Sequence, residues 1–548
     1  MPRVVLLALS LLTASVVAAE PGALFNAKIH TLEPNAPIFQ AMAWDKEGRI
    51  VFLGESDQLN AAHPELPSLD ARGKTILPGL IDAHGHIMGL GFAKMQADLT
   101  AADSLQEAIA TLEAHAETLP IGVWLTGRGW DQTRWESQAF PTAADLDQAF
   151  PERPVWLVRV DGHAGWANTA ALALATKDLS GAWQPRGGAV QRDAAGQPNG
   201  ILIDTAMRFI EDAMPVAGAE SRARALQLAL AEIARSGLTG VHDMGVSLED
   251  FELYRQLDRA GKLPVRITAF ADGDAAMLDW LCKNGSHEGD RLQARSVKIY
   301  GDGALGSRGA ALLDDYSDDP GNTGLLFESD GELQELVDRA LGCGLQLGIH
   351  AIGDAANRQV IDAIASSKGS HAGNPGRHRI EHVQIIDPDD IPRLAEHDII
   401  ASMQPIHATS DMRWAGARLG EARLEGAYAW ASMLEQGVHL ALGSDFPVEP
   451  VNPWLGIHAA VTRQREGLPP GGWQPQEALT LGQALHGFTL AAAWAGFAEG
   501  EVGSLTLGKQ ADFIILDADP FAVEASDLAE ITVLRTVVGG ETVFGGEQ

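Results

Sequence analysis

The stretch Asp82-Ala83-His84-Gly85-His86 follows an apolar run and places two histidines, two residues apart, where a β-strand ends. Four later segments also put a polar residue at or near the end of an apolar, strand-like run. In chain order they are Val297-Lys298-Ile299-Tyr300, Gly348-Ile349-His350, Arg379-Ile380-Glu381-His382 and Gly443-Ser444-Asp445. One such histidine means little. Together, the four histidines, the lysine and the aspartate predict a site for two metal ions.

Strand-like runs alternate with helix-length amphipathic segments through the middle of the chain. Eight strands are predicted: Thr75–Ile81, Leu238–His242, Val265–Phe270, Ser296–Tyr300, Gln346–His350, Arg379–Val383, Ile399–Met403 and His439–Leu442. Eight strand–helix units predict an α/β fold, a TIM-like (β/α)8 barrel over residues 78–498 with its chemistry at the carboxyl ends of the strands. The first two strands lie too far apart for one crossover, so we predict an insertion at about 96–219 that covers the mouth of the barrel.

Both ends of the chain differ from this middle. Short runs in which apolar residues alternate, broken by turn residues, occupy residues 20–77, and the same pattern returns at 499–548. Such patterns are typical of strands and hairpins. We therefore expect one small β-sandwich domain to which both chain ends contribute.

The first residues predict export. Arg3 precedes an apolar core from Val4 to Val17, and small residues precede Glu20. This is the pattern of a cleavable signal peptide at residues 1–19, cut after Ala19, and it implies a periplasmic or secreted protein. The apolar core is short for a bilayer span, so no membrane anchor is expected. The net charge of −33 argues against nucleic acid as a partner.

Cys282 and Cys343 are the only cysteines. They could pair, but each falls in a predicted helix before a different strand, and pairing requires close Cα atoms. The sequence favours two buried free thiols.

The ligand chemistry starts from the paired histidines. Neutral imidazoles of His84 and His86 can share one cation where the chain leaves the first strand. His350 and His382 end the fifth and sixth strands, and Asp445 follows the eighth. The ends of the barrel strands converge, so these side chains are expected to meet at one site.

Lys298 is the unusual member of the set, because a protonated amine cannot bind a cation. Burial in an apolar strand lowers the pKa of a lysine, and the neutral amine can then capture carbon dioxide as a carbamate. A carbamate offers two oxygens that can bridge two divalent ions. The alternative is an ordinary ion pair with Asp302. We favour the carbamate, because neither Glu nor Cys occupies that position as another bridge.

These segments resemble the amidohydrolase superfamily, in the amidohydrolase 3 branch that includes N-substituted formamide deformylases. The matching strings are Leu77-Pro78-Gly79-Leu80-Ile81-Asp82-Ala83-His84-Gly85-His86, Val297-Lys298-Ile299-Tyr300-Gly301-Asp302-Gly303, His350-Ala351-Ile352-Gly353-Asp354, Arg379-Ile380-Glu381-His382, Gly443-Ser444-Asp445-Phe446-Pro447-Val448 and Gly508-Lys509-Gln510-Ala511-Asp512-Phe513. The resemblance runs from about residue 23 to 545, and no ligand of the pattern is missing.

The resemblance implies two divalent metal ions, usually Zn²⁺, bridged by carboxylated Lys298. His84, His86 and Asp445 would bind the more buried ion, and His350 and His382 the more exposed one. A water molecule bridging the ions would lose a proton, because bound metal lowers the pKa of water toward about 7. The resulting hydroxide would attack a substrate carbonyl. Asp445 would then act as general base and later as general acid toward the leaving amine.

Five further residues are candidates for substrate binding. Arg308 follows the fourth strand and could bind a substrate oxygen or anchor its own loop. Trp130, Asp131 and His163 lie in the insertion and suit a lid, although a packed loop is an equal alternative. His407 lies just past the seventh strand and could contact substrate or be structural.

The leading interpretation is an exported metal-dependent amidohydrolase that hydrolyses an amide-type, non-peptide carbon–nitrogen bond of a small molecule. One alternative is a cyclic deaminase or a lactone hydrolase on the same fold, and Lys298 speaks against the deaminase. A non-catalytic periplasmic binding protein is another, and it has no need of Asp445 as a proton carrier. A homodimer is the default oligomer.

Overall fold

The computed structural model describes residues 21–546, except 121, 160, 161, 163, 186, 187, 274, 368, 369, 371–373 and 375. The predicted signal peptide, residues 1–19, lies outside these described residues. The chain forms two compact units. One contains the chain up to Ile87 and again from Leu230 onward, and the other is Met88–Ala229.

The first unit contains a sheet of eight neighbouring parallel strands. They are Leu80–Gly85, Leu238–Val246, Arg266–Asp272, Leu292–Tyr300, Gln346–Ala351, Arg379–His382, Ile400–Met403 and Leu440–Leu442. Each pairs with the next in chain order, and a short antiparallel strand, His287–Glu288, adds to the edge of the fourth. All eight predicted strands are present, and the predicted (β/α)8 fold is confirmed.

The barrel closes through the turn that follows the eighth strand. The amide of Asp445 donates to the carbonyl of His84 at 2.7 Å, and the amide of His86 donates to the carbonyl of Phe446 at 2.8 Å. Gly443 is required here, because a Cβ at this position would lie 2.5 Å from Asp82 Oδ1. This close approach joins the first and last strands at the end where the polar residues lie.

The predicted first strand was too long at its start and too short at its end. Thr75–Pro78 belongs to a different sheet, where it pairs with Phe513–Leu516, and the barrel strand begins at Leu80. Gly79 marks the change of sheet: its amide donates to Asp512 O, and a Cβ there would collide with Thr239. One apolar run therefore serves two sheets.

Helices cover the outside of the barrel strands. Those of the barrel and its loops are Leu248–Arg259, Ala275–Asn284, Asp330–Gly342, Asp354–Ser367, Ile391–Glu396, Pro405–Asp411, Ala415–Leu419, Trp430–Glu435, Pro453–Thr462, Leu481–Gly487 and Leu490–Ala495. The helix Asp330–Gly342 shows how such a helix starts, with a capping box. The Ser329 side chain accepts a hydrogen bond from the amide of Glu332, and the Glu332 side chain accepts one from the amide of Ser329. Two more helices, Ile87–Lys94 and Ala219–Arg235, span the boundaries of the second unit. Among the described residues, none of the helices has the length and apolar character needed to cross a bilayer.

Both chain ends build two further sheets that share one core. The strands Gly22–Phe25, Ala41–Trp44, Ile50–Gly54 and Ser68–Asp70 form one sheet, and Lys28–Ile29, Thr75–Pro78, Phe513–Leu516, Val533–Val538 and Glu541–Phe544 form the other. Helix Ser56–Ala62 connects two strands of the first sheet. Leu24, Ile76 and Phe513 are buried in the same apolar cluster, so residues from both ends of the chain stabilise it.

The second unit is a six-stranded mixed sheet with short helices. Its strands are Ala97–Asp98, Leu125–Trp130, Val155–Arg159, Ala164–Ala167, Gly188–Arg192 and Pro198–Asp204, and its helices are Leu105–Glu117, Ala143–Asp147, Thr169–Leu172 and Arg208–Glu211. Trp130, Trp135 and Trp166 pack against one another in its core. The lid role and the insertion boundaries stay predictions.

The prediction of two free thiols was wrong. Cys282 and Cys343 form a disulfide, with their Cα atoms 4.9 Å apart. Cys282 lies in the helix Ala275–Asn284, and Cys343 ends the helix Asp330–Gly342. These two helices precede neighbouring barrel strands, which brings the cysteines together although 61 residues separate them.

Replacing both cysteines by serine should lower the free energy of unfolding by about 4 kcal/mol, because the bridge restricts a long loop in the unfolded chain. Denaturant unfolding of the oxidised protein and of the double variant measures the difference. Reduced wild-type protein is the matched control and should show the same loss. Equal stability of oxidised and reduced protein would contradict the expectation.

Candidate metal centre

The carboxyl ends of the barrel strands bring the predicted metal ligands together. The ring of His84 lies 4.7 Å from that of His382 and 5.5 Å from that of His86, measured between centroids. The rings of His382 and His350 are 4.5 Å apart. This proximity follows from the parallel register, in which Ala351 pairs with His382 and Tyr300 pairs with His350.

Asp445 completes the group from the turn after the eighth strand. Its Oδ1 atom lies 3.1 Å from His86 Nε2 and 3.6 Å from His84 Nε2. A second set of possible ligand atoms, from His382, His407 and Asp445, also lies within 4.8 Å. Asp445 and His382 both have positive φ angles, 63° and 82°, which non-glycine residues rarely adopt. Such strained backbone is typical of functional sites.

Three of the histidines have an oxygen acceptor at Nδ1. His84 Nδ1 lies 2.7 Å from Glu381 Oε2, His86 Nδ1 lies 3.0 Å from the carbonyl of Met244, and His382 Nδ1 lies 2.8 Å from Gln404 Oε1. In a neutral imidazole one nitrogen carries the hydrogen and the other a lone pair. These partners therefore leave the lone pairs of all three histidines on Nε2.

This arrangement fits a cation. The Nε2 atoms of His84 and His86 approach the same oxygen of Asp445, at 3.6 and 3.1 Å. His84 Nε2 and Asp445 Oδ1 are also buried without a hydrogen-bond partner among the described residues. Lone pairs held this close repel one another unless a positive ion lies between them. The nitrogen and oxygen donors suit Zn²⁺ and similar divalent ions.

At His86, burial is outweighed by the contact with Asp445, which raises the pKa above its ordinary value. Burial favours the neutral form of His84 and His382. It lowers the pKa of His84 to about 3, and nearby Lys298 adds to the shift. Burial also lowers the pKa of His382 well below its ordinary value. A neutral imidazole is the form that binds metal.

Sequence reasoning missed the role of Glu381, although it lies next to His382 in the motif. Glu381 is fully buried and binds His84 on one side and the guanidinium of Arg379 on the other, with Arg379 Nε 2.8 Å from Glu381 Oε1. Burial alone would raise the pKa of Glu381, but Arg379 and His84 outweigh it and hold the pKa below its ordinary value. The carboxylate thus fixes the orientation of His84.

Asp82 performs a similar task for the backbone. Its Oδ1 accepts hydrogen bonds from the amides of His84 and Ser444, both at 3.0 Å, and its Oδ2 accepts one from the Ser444 hydroxyl at 2.6 Å. Burial raises the pKa of Asp82 to about 7. This carboxyl ties the first strand to the turn that carries Asp445.

Lys298 is buried at the end of the fourth strand. Among the described residues, no carboxylate lies within ion-pairing distance of its Nζ atom. Asp302, the predicted alternative partner, instead accepts hydrogen bonds from the amides of Ala311, Ile352 and Gly353. Burial lowers the pKa of Lys298 to about 8, although Glu381 and Asp445 act in the opposite direction. The ion pair with Asp302 is therefore absent.

Arg308 and Asp131 have structural partners. Arg308 forms a two-point ion pair with Asp318 of its own loop, at 3.0 Å to each oxygen. Asp131 pairs with Arg159 at 2.7 Å within the second unit. His163 lies outside the described residues.

Trp130 is fully buried, and its indole N–H donates to the carbonyl of Leu157. The prediction that Trp130 binds substrate is corrected to the packed-core alternative, because an indole with a satisfied N–H inside an aromatic cluster has no surface left for a ligand.

His407 lies in the first turn of the helix Pro405–Asp411, which follows the seventh strand. Its Nε2 atom lies 3.7 Å from Asp445 Oδ2, and its Nδ1 lies 2.9 Å from Gln384 Nε2. Of the two candidates described in the first unit, Arg308 and His407, it is His407 that the structure brings to the metal-ligand group. Its motif, Gln404-Pro405-Ile406-His407, carried no metal-ligand spacing, so only its position past a barrel strand pointed to it.

The chain is similar to known proteins over most of its length. A family model described as "Amidohydrolase family" matches residues 68–544. The protein YtcJ of Bacillus subtilis is 33% identical over 91% of this chain and 95% of its own. N-substituted formamide deformylase of Arthrobacter pascens is 31% identical over 94% and 97%. A crystal structure of an uncharacterized metal-dependent hydrolase from Pyrococcus horikoshii superposes with a TM-score of 0.78 at 28% identity, over 92% of this chain and 99% of that one.

Proposed function

The chain belongs to the amidohydrolase family, and we propose that it hydrolyses an amide-type, non-peptide carbon–nitrogen bond of a small molecule. The observation that carries the proposal is the approach of the His84 and His86 Nε2 atoms to one oxygen of Asp445. The similarity to a formamide deformylase supports small amides as the substrate class.

The ligand assignment follows from the donors at each strand end. His84, His86 and Asp445 would bind one divalent ion, and His350 and His382 a second, with zinc as the candidate for both. Ions bound there would lower the pKa of a water molecule and polarise a substrate carbonyl. The neutral histidines and the oriented carboxylate are the contribution of the chain itself.

Lys298 would be the bridging residue, as a carbamate. Its neutral amine forms an N–C bond to carbon dioxide and releases one proton, which yields an anion with two oxygens. Burial without a carboxylate partner supports this, because an uncompensated ammonium at that position is costly. The carbamate removes the positive charge and supplies ligands for divalent ions.

Asp445 is the proposed proton carrier. It accepts the proton that the attacking water loses and returns it to the nitrogen of the leaving amine. Its position supports the role, because one oxygen faces His84 and His86 while the other faces His407. With its two oxygens in different environments, the carboxylate can bind a metal ion through one oxygen and exchange a proton through the other.

Export is a further part of the proposal. The signal-like residues 1–19 supported it in the sequence, and the Cys282–Cys343 disulfide supports it independently, because structural disulfides persist in oxidising compartments.

Removing bound metal should abolish turnover and restoring it should recover the activity. The test is elemental analysis of the purified protein, followed by assays on N-alkyl formamides, N-aryl formamides and N-acetyl amines. We expect about two ions per chain, as in two-metal hydrolases, and hydrolysis that stops after chelation and returns with Zn²⁺ and bicarbonate. Hydrolysis that survives complete removal of metal would contradict the proposal. About one ion would favour the cyclic deaminase.

A further inference from the structure

His407 differs from the candidate ligands in what its Nδ1 atom faces. His84, His86 and His382 each have an oxygen acceptor there, but His407 Nδ1 faces the amide nitrogen of Gln384 at 2.9 Å. An amide nitrogen only donates, so Nδ1 of His407 accepts the hydrogen bond. The hydrogen of the neutral ring is then on Nε2.

The N–H of His407 points into the site without a partner. Nε2 is buried and makes no hydrogen bond to any described residue. Asp445 Oδ2 lies 3.7 Å from it, which is too long for a hydrogen bond. A buried donor left unsatisfied destabilises the folded protein, so its presence next to the proton carrier calls for an acceptor from outside the chain.

We propose that His407 is a catalytic hydrogen-bond donor, not a metal ligand, and that its Nε2–H binds the carbonyl oxygen of the scissile amide. The inference rests on the proposed amide hydrolysis. The proposed role sets His407 apart from the metal-binding residues, although its ring nitrogen lies within 4.8 Å of possible ligand atoms of His382 and Asp445. The neutral donor stabilises the oxygen as negative charge develops there, and it does so most strongly in the transition state.

Gln384 controls this role. Replacing it with glutamate puts an acceptor opposite Nδ1, which moves the ring hydrogen to Nδ1 and leaves a lone pair on Nε2. Gln384→Glu should therefore remove the donor while His407 remains in place. This variant separates donation from the bulk of the imidazole ring.

The first test uses the full chain loaded with Zn²⁺ and bicarbonate and labelled with ¹⁵N-histidine. Two-bond ¹⁵N–¹H correlation spectra, assigned with the His407→Gln variant, should show the hydrogen of His407 on Nε2 and those of His84, His86 and His382 on Nδ1. Metal content of His407→Ala should equal that of wild type. A hydrogen on Nδ1 of His407, or loss of an ion in His407→Ala, would overturn the proposal.

The second test measures catalysis on the best formamide substrate. His407→Ala and Gln384→Glu should each lower kcat about 10²–10³-fold, the usual effect of losing one such donor, with a much smaller change in KM. His63→Gln, in the β-sandwich, is the matched control and should leave kcat unchanged. A kcat within about threefold of wild type in His407→Ala would refute the donor, since 10²-fold is the expected minimum.

Acetate distinguishes this inference from the amide function itself. Its carboxylate resembles a product and can accept the same hydrogen bond, so it should shift the His407 Nε2–H resonance and bind at least tenfold more weakly to His407→Ala. If no amide is hydrolysed but acetate behaves in this way, the amide function fails while the donor stands. Equal acetate affinity in wild type and variant would overturn the donor even if amides are hydrolysed.

Discussion

Replacing Asp445 by asparagine should reduce kcat by about 10³–10⁴-fold, at the upper end of what a proton carrier contributes. The amide retains the shape of the carboxylate but can neither take up a proton from water nor pass it to the leaving nitrogen. It also weakens the anionic contact to His84 and His86, which lie 3.6 and 3.1 Å from Oδ1. Single-turnover rates and metal content together measure the two effects.

The control for this variant is Asp362→Asn, which changes a surface carboxylate paired with Arg393. It should retain kcat, because exposed ion pairs contribute little. If Asp445→Asn turned over substrate at the rate of this control, Asp445 would not be the proton carrier. A binding protein would instead retain ligand affinity in the variant and have no turnover to lose.

Replacing Lys298 by alanine should remove bound metal and with it nearly all activity. The change deletes the proposed bridge at the end of the fourth strand and leaves space among the histidines. Short carboxylic acids such as formate or acetate should restore part of both, because each supplies two oxygens in place of the carbamate. Elemental analysis with and without added acid, followed by assay, measures the recovery.

Lys283→Ala is the matched control, since Lys283 is exposed on the helix Ala275–Asn284. Metal content should not change in this variant. If Lys298→Ala also retained its metal, the bridging role would be wrong. Rescue by primary amines instead of carboxylic acids would indicate that Lys298 acts as a free amine.

Much of the fold could be predicted because parallel barrel strands are buried on both faces and appear as short apolar runs. Polar residues at the ends of such runs stand out, which is why His84, Lys298, His350 and His382 could be found. The start of the first strand could not be placed, because Thr75–Ile81 is one apolar run in the sequence, although Thr75–Pro78 and Leu80–Gly85 join different sheets.

The partners of the ligands were beyond sequence reasoning. Gln404 binds His382 from the seventh strand, and Gln384 binds His407 from the loop after the sixth. Nothing in the local pattern distinguishes a glutamine that accepts from one that donates. That difference requires three-dimensional contacts, and it is what separates a candidate metal ligand from a candidate donor.

The disulfide was missed, and the role of Trp130 was left open, for the same reason. Cys282 and Cys343 are distant in sequence, and only the packing of helices before neighbouring strands brings them within bonding distance. Trp130 stands beside polar residues in the sequence but is buried in the aromatic core of the second unit. Local composition left a lid residue and a packed-core residue as equal alternatives for Trp130, and the tertiary packing decides for burial.

The β-sandwich has a consequence for the order of events during synthesis. Thr75–Pro78 pairs with Phe513–Leu516. A strand synthesised early therefore lacks this partner until more than four hundred further residues have been synthesised. Until the later strand emerges, the earlier one has an unpaired edge and an apolar face open to water, the features that attract chaperones and neighbouring chains. The sandwich therefore acts as a check on completeness: a chain interrupted anywhere in the barrel cannot bury its own beginning.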